Sequence, residues 1–406
     1  MIIQENYMIA DLHLHSRFSR ACSKNITIPE LAKWAKVKGL NLLGTSDFTH
    51  PVWLFEIKDL LVEKNGFYYY QDVPFILSGE ISLMYTQERG RRIHLLLLVP
   101  SLEVVDKINA YLDTKGRRDY DGRPIFKIPG DEFVREMMKI STDIEIIPAH
   151  IWTPWFGIFG SKSGFDSLKE CFKEEIDNIH AIETGMSSDP PMNWRIKELE
   201  DKAIVSFSDS HSFWPWRLGR EATIFNKVDS YKEVIEQIRN NSFIATIETD
   251  PGYGIYHYDG HRNCGFSCPP ERTKELGGIC PVCKGKLTVG VDYRVQELAQ
   301  NEIGFKPENA KPFHKLLPLH ELISLNLGFG MQTSKVWVVY NKLIKEFKNE
   351  LNILLNVSRE ELIKKEVDAK LIGLILKNRV GKIKVIPGYD GVYGKATLGE
   401  DQSTLA

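Results

Sequence analysis

Residues 7–16, YMIADLHLHS, combine a predicted buried strand with the first candidate metal ligands. The run is apolar up to Ala10 and then presents Asp11, His13 and His15. Side chains on a strand alternate between two faces, so the imidazoles of His13 and His15 lie on one face and can hold one cation. Asp11 can hold the cation with them or orient one of the rings from behind. The stretch therefore predicts a strand that leads into a metal site.

Six further runs rich in isoleucine, valine and leucine also predict buried strands. The seven runs cover residues 7–15, 41–47, 74–84, 92–99, 144–151, 178–184 and 203–209. Helical patterns separate most of them. Residues 29–39, for example, open with proline and close with glycine, as helices commonly do. This alternation over about 210 residues favours a parallel β/α barrel.

Side chains of the metal-ligand type recur at or near the ends of these runs. Barrel enzymes place their chemistry at the C-terminal ends of the strands, so side chains from different strands meet in one site. Glu80 and His94 fit this pattern less well, and the run between them is compatible with a hairpin. The candidates are Asp11, His13, His15, Asp47, Glu80, His94, His150, Glu183, Asp209 and His211.

Imidazole and carboxylate together suit zinc, manganese or iron(II). A bridging carboxylate such as Glu80 would let two ions lie about 3.5–4 Å apart, the spacing found in two-metal hydrolases. Each residue alone has an ordinary explanation, because most single buried histidines are hydrogen-bonded core residues and Asp47 could cap a helix. The whole set at strand ends does not, so we predict one multinuclear site that hydrolyses a phosphate ester.

The chain has six cysteines, and four of them lie between residues 264 and 283. Cys264, Cys268, Cys280 and Cys283 form two closely spaced pairs, a pattern typical of tetrahedral zinc sites. The alternative is four free thiols crowded into one segment. Four thiolates would leave no open coordination position, so the expected zinc is structural.

Bulk properties limit the class of protein. The 406 residues are 43% hydrophobic and 26% charged, which is typical of a soluble globular chain. The formal net charge of −2 argues against a generally basic nucleic-acid coat protein, although local basic stripes are compatible with it. Neither a long apolar span nor a secretory leader is visible, so we expect a cytoplasmic protein without membrane contact.

Three parts are expected along the chain. They are a metal-dependent catalytic domain at 1–258, a zinc-binding module at 259–290 and a mostly helical domain at 291–406. Amphipathic patterns at 335–355 and 358–378 predict the helices of the last part. Residues 402–406, QSTLA, look like the first half of a sliding-clamp-binding motif but lack the two aromatic residues that would follow. We expect a monomer.

Short motifs at these positions resemble the PHP (polymerase and histidinol phosphatase) superfamily. They are DLHLHS at 11–16, TSD at 45–47, SGEIS at 78–82, IH at 93–94, PAH at 148–150 and SDSH at 208–211. Within it, the chain resembles the endonuclease Q family over most of its length. That resemblance rests on the cysteine module and on GTSDFTHP at 44–51, IPAHIWTPWFGIFGSKSGFDS at 147–167, ETGMSSDPPMNWR at 183–195 and PGYDGVYG at 387–394.

The resemblance implies a distorted (β/α)7 barrel with two or three zinc ions, which manganese or magnesium could replace, besides the structural zinc. His13, His15, Glu80 and Asp209 would be the catalytic residues, and Asp11 would lie behind the ligands. The implied ligands of the ions are His13, His15 and Asp209 for the first, His94 and His150 for the second, Glu80 as the bridge and His211 for a third. The second strand lacks the usual histidine at Phe48, so we expect Asp47 or His50 to replace it.

The resemblance also implies a substrate, namely double-stranded DNA that contains uracil, hypoxanthine, xanthine or an abasic site. The enzyme would cut on the 5′ side of the lesion and leave 3′-hydroxyl and 5′-phosphate ends. Two rival functions are a small-molecule phosphatase and a non-enzymatic DNA-binding protein. The zinc module and the C-terminal domain have no obvious use in the first, and the complete ligand set argues against the second.

Two sets of side chains are candidates for DNA contacts. Aromatic rings beside the metals could stack on an extruded base or fill its gap, although packing at the rim of the barrel explains them equally well. These rings are Trp152, Trp155, Phe156 and Phe159. Arg117 and Arg118 are candidate phosphate contacts, with solvated loop charge as the alternative.

Overall fold

The fold is given by a computed structural model that describes residues 7–397. The strands of the first part are β1 (Tyr7–Asp11), β2 (Leu42–Gly44), β3 (Val62–Lys64), β4 (Phe67–Tyr70), β5 (Val73–Gln87), β6 (Arg89–Val99), β7 (Ile125–Phe126), β8 (Glu145–Pro148), β9 (Ala181–Glu183), β10 (Ala203–Val205), β11 (Ala222–Asn226) and β12 (Ala245–Glu248). The helices between them are α1 (Ile28–Lys38), α2 (Pro51–Leu60), α3 (Leu102–Asp113), α4 (Gly130–Ile140), α5 (Leu168–Phe172), α6 (Pro190–Asn193) and α7 (Tyr231–Arg239).

Local sequence signals place the first helix where the pattern predicts it. The Thr27 side chain accepts a hydrogen bond from Glu30 N at the start of α1, and a proline occupies its first turn. The helix ends at Gly39, whose φ of 100° is the left-handed conformation that glycine adopts without strain. The buried face of α1 packs its apolar side chains into the main core.

The central sheet is mixed, so the prediction of a parallel barrel is wrong in this respect. β1, β2 and β5 run parallel to one another. β11 pairs antiparallel with β1, and β6 pairs antiparallel with both β5 and β8. β5 and β6 are antiparallel because the link between them is far too short for the crossover that parallel neighbours need. β5 and β6 thus form a hairpin, as the sequence between Glu80 and His94 allowed.

β9 and β10 form a separate parallel pair that is tied to the large sheet at one end. After β8, Ile151 N donates to Glu183 O at 3.2 Å, and after β1, His15 N donates to Ser210 O at 3.0 Å. These bonds bring the ends of strands from both sheets together around one site. The chain is thus a mixed α/β fold, and the (β/α)7 barrel remains a prediction.

The remaining elements belong to the cysteine segment and the C-terminal part. The first segment contains β13 (Asp259–His261), β14 (Phe266–Cys268) and α8 (Pro270–Glu275). The second contains α9 (Val291–Leu298), β15 (Phe313–Lys315), α10 (Leu319–Leu327), α11 (Ser334–Phe347), α12 (Glu350–Leu355), α13 (Arg359–Lys364), α14 (Ala369–Arg379), β16 (Lys384–Ile386) and β17 (Lys395–Thr397). Each of the two predicted amphipathic stretches forms a pair of helices, α11 with α12 and α13 with α14.

The C-terminal part is joined closely to the first part. β15 pairs in parallel with β12 and so extends the large sheet. Lys38 of α1 and Glu350 of α12 form a fully buried ion pair with an N–O distance of 2.7 Å. The predicted domain boundaries remain predictions. Residues 402–406, which resemble half of a sliding-clamp-binding motif, lie outside the described residues. Between residues 7 and 397, no helix is long and apolar enough to cross a membrane.

Candidate metal centre

Two groups of three side chains lie close enough together for each group to hold a cation. Within each group, the potential ligand atoms all lie within 4.8 Å of one another. The groups are His13, His15 and Asp209 in the first and Glu80, His94 and His150 in the second. They come from the segments after β1, β8 and β10 and from the β5–β6 hairpin. The structure thus brings together the six residues expected to hold two ions.

Glu80 lies between the two groups. Its Oε1 atom is 2.7 Å from His94 Nδ1 and 3.1 Å from His150 Nε2. Its Oε2 atom is 3.3 Å from His15 Nε2, which in turn is 2.9 Å from Asp209 Oδ1. One carboxylate therefore faces both groups, which is the geometry required of a ligand that bridges two ions.

Several polar atoms of the first group are buried without a hydrogen-bond partner among the described residues. They are His13 Nε2, His15 Nε2 and Asp209 Oδ1. A buried polar atom that lacks a partner costs about 1–3 kcal/mol. A divalent cation bound by all three atoms would remove that cost. The donor atoms therefore fit a metal site on physical grounds, independently of any sequence motif.

Carboxylates behind the histidines fix the orientation of the rings. His13 Nδ1 lies 2.8 Å from Glu183 Oε1, and His15 Nδ1 lies 3.1 Å from Asp47 Oδ1. Because Nδ1 of each ring is engaged, Nε2 is left to face a cation. Glu183 also accepts the backbone N–H of His150 at 2.8 Å, so it organises both groups. Glu183 was noted at the end of a predicted strand, but sequence reasoning gave it no role.

Asp11 holds backbone rather than a ligand ring. Its carboxylate accepts hydrogen bonds from Ser208 N at 3.0 Å and from Gly219 N at 2.8 Å. Burial raises its pKa to about 6, against the effect of these hydrogen bonds. Asp11 therefore fixes the segment that carries Asp209, which corrects the expectation that it could orient one of the rings of its own strand.

Three residues that carry carboxylate or imidazole groups into the centre have left-handed backbone. The φ angles are 38° at Asp47, 31° at His150 and 47° at Asp209. This conformation is uncommon for residues other than glycine. It costs of order 1–3 kcal/mol and tends to persist at functional sites, where the surrounding structure fixes it. All three lie just after strands, at the end where the ligands meet.

The buried ligands have strongly shifted pKa values. Burial lowers the pKa of His94 to about 3, although Glu80 lies beside it, so this ring is neutral at pH 7. Burial also opposes charge on His13 and His15, but the surrounding carboxylates outweigh it and raise both pKa values well above 6.5. Without a cation, protons on these two rings balance the carboxylates, and a bound metal would displace them.

The residues expected at a third metal site do not form a compact ligand group in the described part of the chain. Asp47 is occupied by His15 and by hydrogen bonds from nearby backbone and hydroxyl groups. His50 directly precedes α2 and stacks on an aromatic ring at 4.1 Å. His211 lies nearest to the centre, with its Nδ1 atom 3.6 Å from Asp209 Oδ1. The assignment of Asp47, His50 and His211 as ligands of a third ion stays a prediction.

The aromatic loop after His150 divides into buried and exposed rings. Trp152 and Phe159 are 1% and 0% exposed and pack on each other at 4.9 Å, so they form core and cannot stack on a base as placed. Trp155 is 39% exposed. The ring of Phe156 lies 4.3 Å from that of His94. Packing at the rim thus explains Trp152 and Phe159, whereas Trp155 and Phe156 remain candidates for DNA contacts.

The candidate arginines lie near the centre but do not contact it. Arg117 is 76% exposed and pairs with Asp119, whereas Arg118 is largely buried and bonded to neighbouring backbone and carboxylate groups. Sequence reasoning missed Arg123, which donates to Glu80 Oε2 at 3.0 Å. It lies in an irregular loop, where no periodicity singles out one residue.

The cysteine segment gathers a ligand set that differs in one member from the predicted one. His261 joins Cys264, Cys280 and Cys283 in a compact group, with its Nδ1 atom 3.1 Å from Cys264 Sγ and 3.5 Å from Cys283 Sγ. Cys268 is outside this group. Its buried thiol instead lies 3.3 Å from a threonine hydroxyl. The spacing His261-x2-Cys264 repeats that of Cys280-x2-Cys283, and this signal could have identified the histidine.

Comparisons with known proteins place the chain among its relatives. The family described as the MJ0043 C-terminal domain matches residues 318–382, which contain α10–α14. The uncharacterised protein MJ0043 of Methanocaldococcus jannaschii is 36% identical to the chain over 256 residues. That match covers 61% of this chain and 31% of the relative, so the chain spans about a third of the length of that protein.

Two solved structures match along almost the whole chain. One is the lesion-specific endonuclease PfuEndoQ of Pyrococcus furiosus, with a TM-score of 0.89, 30% identity and coverage of 98% of this chain and 97% of that one. The other is endonuclease Q in complex with a 27-mer duplex that carries an abasic lesion at the active site. Its TM-score is 0.87, with 30% identity and coverage of 98% of both chains. The chain belongs to the endonuclease Q family.

Proposed function

We propose that this endonuclease acts in DNA repair and cuts the phosphodiester bond on the 5′ side of a deaminated base or an abasic site. The deaminated bases would be uracil, hypoxanthine and xanthine, and the ends would be 3′-hydroxyl and 5′-phosphate. The observation that carries the proposal is the position of Glu80, whose two oxygen atoms face both ligand groups. This centre lies in a chain that is similar over its full length to an endonuclease Q bound to an abasic duplex.

The residues present fit two divalent ions. His13, His15 and Asp209 would hold one, His94 and His150 would hold the other, and Glu80 would be shared. Nitrogen and carboxylate donors in this mixture suit zinc, with manganese or magnesium as replacements. When bound, such ions activate water and neutralise charge that develops on a phosphate. Glu183 and Asp47 keep the Nε2 atoms of His13 and His15 directed into the centre.

The exposed part of the aromatic loop supports a role for DNA lesions. Trp155 and Phe156 lie in the loop that follows His150, and the ring of Phe156 lies 4.3 Å from that of His94. We propose that these rings stack on an extruded base or fill the space that it leaves, since aromatic rings stack on any base. The C-terminal helices would hold the duplex against this face.

The cysteine segment would hold one structural zinc. Its proposed ligands are His261, Cys264, Cys280 and Cys283. Backbone N–H groups of Cys283 and Val282 lower the pKa of the Cys280 thiol and so favour the thiolate that binds zinc. Four protein ligands close the coordination sphere, so this zinc would brace the segment rather than take part in hydrolysis.

The substitution Asp209→Ala tests the assignment of the catalytic centre. It removes a carboxylate oxygen of the first ligand group, which lies 2.9 Å from His15 Nε2. Incision of an abasic duplex should fall by more than about 100-fold, since loss even of a partner behind a ligand costs 10–100-fold. Binding of the same duplex, measured by fluorescence anisotropy, should be largely kept.

Unchanged incision by the Asp209→Ala variant would show that the site is misassigned. Hydrolysis of a chromogenic monophosphate by the wild-type protein, with no nicking of a lesion duplex, would establish the small-molecule phosphatase instead. Binding of lesion DNA without incision under any divalent metal would establish a non-enzymatic binding protein.

A further inference from the structure

One positively charged side chain, that of Arg123, lies in the candidate metal centre and cannot itself bind a metal ion. Arg123 lies in the loop between α3 and β7, and its side chain is 20% exposed. Its guanidinium donates to Glu80 Oε2 at 3.0 Å. The same Glu80 oxygen lies 3.3 Å from His15 Nε2 of the first ligand group, and Glu80 itself belongs to the second, so the guanidinium lies beside both groups. An arginine at this position is close to any ligand that spans the two groups.

The backbone beside Arg123 is fixed rather than free. Gly122 N donates to Phe18 O at 3.1 Å, and Gly122 O accepts the Thr49 hydroxyl at 3.2 Å. A Cβ atom on Gly122 would lie 2.2 Å from Asp47 Oδ2, so only glycine lets the loop approach this closely. The loop therefore presents Arg123 to the centre from a defined position, with part of the side chain still open to solvent.

The net charge of the centre with two ions bound indicates which kind of ligand Arg123 would contact. Four carboxylates contact the ligand rings, Glu80 and Asp209 within the groups and Asp47 and Glu183 behind them, and two divalent ions would balance their charge. Arg123 would add a further positive charge beside those ions, which is unfavourable unless an anion enters. The oxygen atoms of a phosphate match the planar donors of a guanidinium. A phosphodiester seated over both ions would supply that anion.

We propose that Arg123 contacts a non-bridging oxygen of the scissile phosphate and exchanges its ion pair with Glu80 for this contact when DNA enters. The inference rests on the proposed function and adds a catalytic residue to it. Arg123 neither gains nor loses a proton. It stabilises the negative charge that builds up on the phosphate oxygens during hydrolysis.

The test compares Arg123→Gln and Arg123→Lys with the wild-type protein. Metal content by mass spectrometry should be unchanged in both variants, because Arg123 is not a ligand. Arg123→Gln should lower the incision rate at saturating abasic duplex by about 10²–10³-fold, as does loss of other donors that stabilise a developing oxyanion. Arg123→Lys keeps the charge but not the planar donors, so its incision rate should lie between those of the wild-type protein and the Arg123→Gln variant. Arg135→Gln, a half-exposed position on α4, is the matched control and should have no effect.

A binding measurement separates a phosphate contact from an effect on Glu80. In an Asp209→Ala background, where incision is blocked, affinity is compared for abasic duplexes with a phosphodiester or a neutral methylphosphonate at the incision site. Arg123→Gln should weaken binding of the first by roughly tenfold and leave binding of the second unchanged, as a direct contact requires. Equal weakening of both, or of neither, would overturn the proposal. If the wild-type protein nicks no lesion duplex, the proposed function itself fails.

Discussion

At the scale of single residues, the ligands of the centre could be predicted because they obey simple rules. His13 and His15 share a face of one strand, and Asp209 follows another strand at the same end. What the sequence could not supply is which group lies behind which ring. Asp47 follows one strand and Glu183 ends another, yet here both orient histidines. Their roles depend on which side chains meet across the centre, which no spacing encodes.

The raised pKa values of His13 and His15 lead to a prediction for metal affinity. In the metal-free protein both imidazoles are protonated at pH 7, because the carboxylates around them outweigh the effect of burial. Each must lose a proton before it binds a cation. Apparent affinity for zinc at the first group should therefore rise with pH and continue to rise well above pH 6.5. Competition with a chromogenic chelator across that range measures this.

His94 provides the contrast within the same experiment. Its pKa of about 3 leaves it neutral over the whole range, so it adds no pH dependence. A zinc affinity that levels off at or below pH 6.5 would mean that His13 and His15 are not held protonated by their carboxylate neighbours.

At the scale of elements, the sequence predicted seven of the strands, but not β3, β4, β7, β11 and β12 and not how the strands pair. The run of apolar residues in β5 and β6 is the same whether the strands are parallel or antiparallel. The short link at Glu88 decides the matter, and it makes the two strands a hairpin with Glu80 and His94 on facing strands. The aromatic loop shows the same limit, since rings of one type lie both in the core and at the surface.

The cysteine segment yields a prediction that separates its four thiols. Cys280→Ser should release the structural zinc and lower the melting temperature, because Cys280 belongs to the compact group. Cys268→Ser should keep the zinc, since Cys268 lies against a threonine hydroxyl instead. Zinc content by mass spectrometry of the two variants, each beside wild type, gives the answer. Loss of zinc from the Cys268→Ser variant would restore the four-cysteine site that the spacing alone predicts.

At the scale of the whole molecule, the C-terminal part is joined to the first part by the β12–β15 pairing, a buried ion pair and an aromatic cluster. Glu350 accepts hydrogen bonds from Lys38 at 2.7 Å and from the Tyr340 hydroxyl at 2.9 Å. Lys38 also donates to Pro215 O at 2.7 Å, in the loop that follows Asp209. Trp34, Trp214, Trp216 and Trp337 pack around this junction. The helical domain thus supports a loop of the active site.

Glu350→Ala should lower the free energy of unfolding by about 3–5 kcal/mol, because it leaves the Lys38 charge buried without its partner. Replacing both residues with apolar ones of similar volume should recover much of this loss. Chemical denaturation of the two variants measures the difference. Glu103→Ala breaks an exposed pair on α3 and should leave the transition unchanged. A Glu350→Ala variant as stable as this control would show that the junction does not depend on the ion pair.

The most direct test of the central claim is incision of end-labelled duplexes that contain uracil, hypoxanthine, xanthine, an abasic site or no lesion, with products sized against a sequencing ladder. The proposed two-ion centre around Glu80 and the membership in the endonuclease Q family lead to one expected result. Lesion strands should be cut on the 5′ side of the lesion, only with a divalent metal, and the product should carry a 3′-hydroxyl that a polymerase extends. Equal cutting of the undamaged duplex, or no cutting of any lesion strand with zinc, manganese or magnesium, would contradict it.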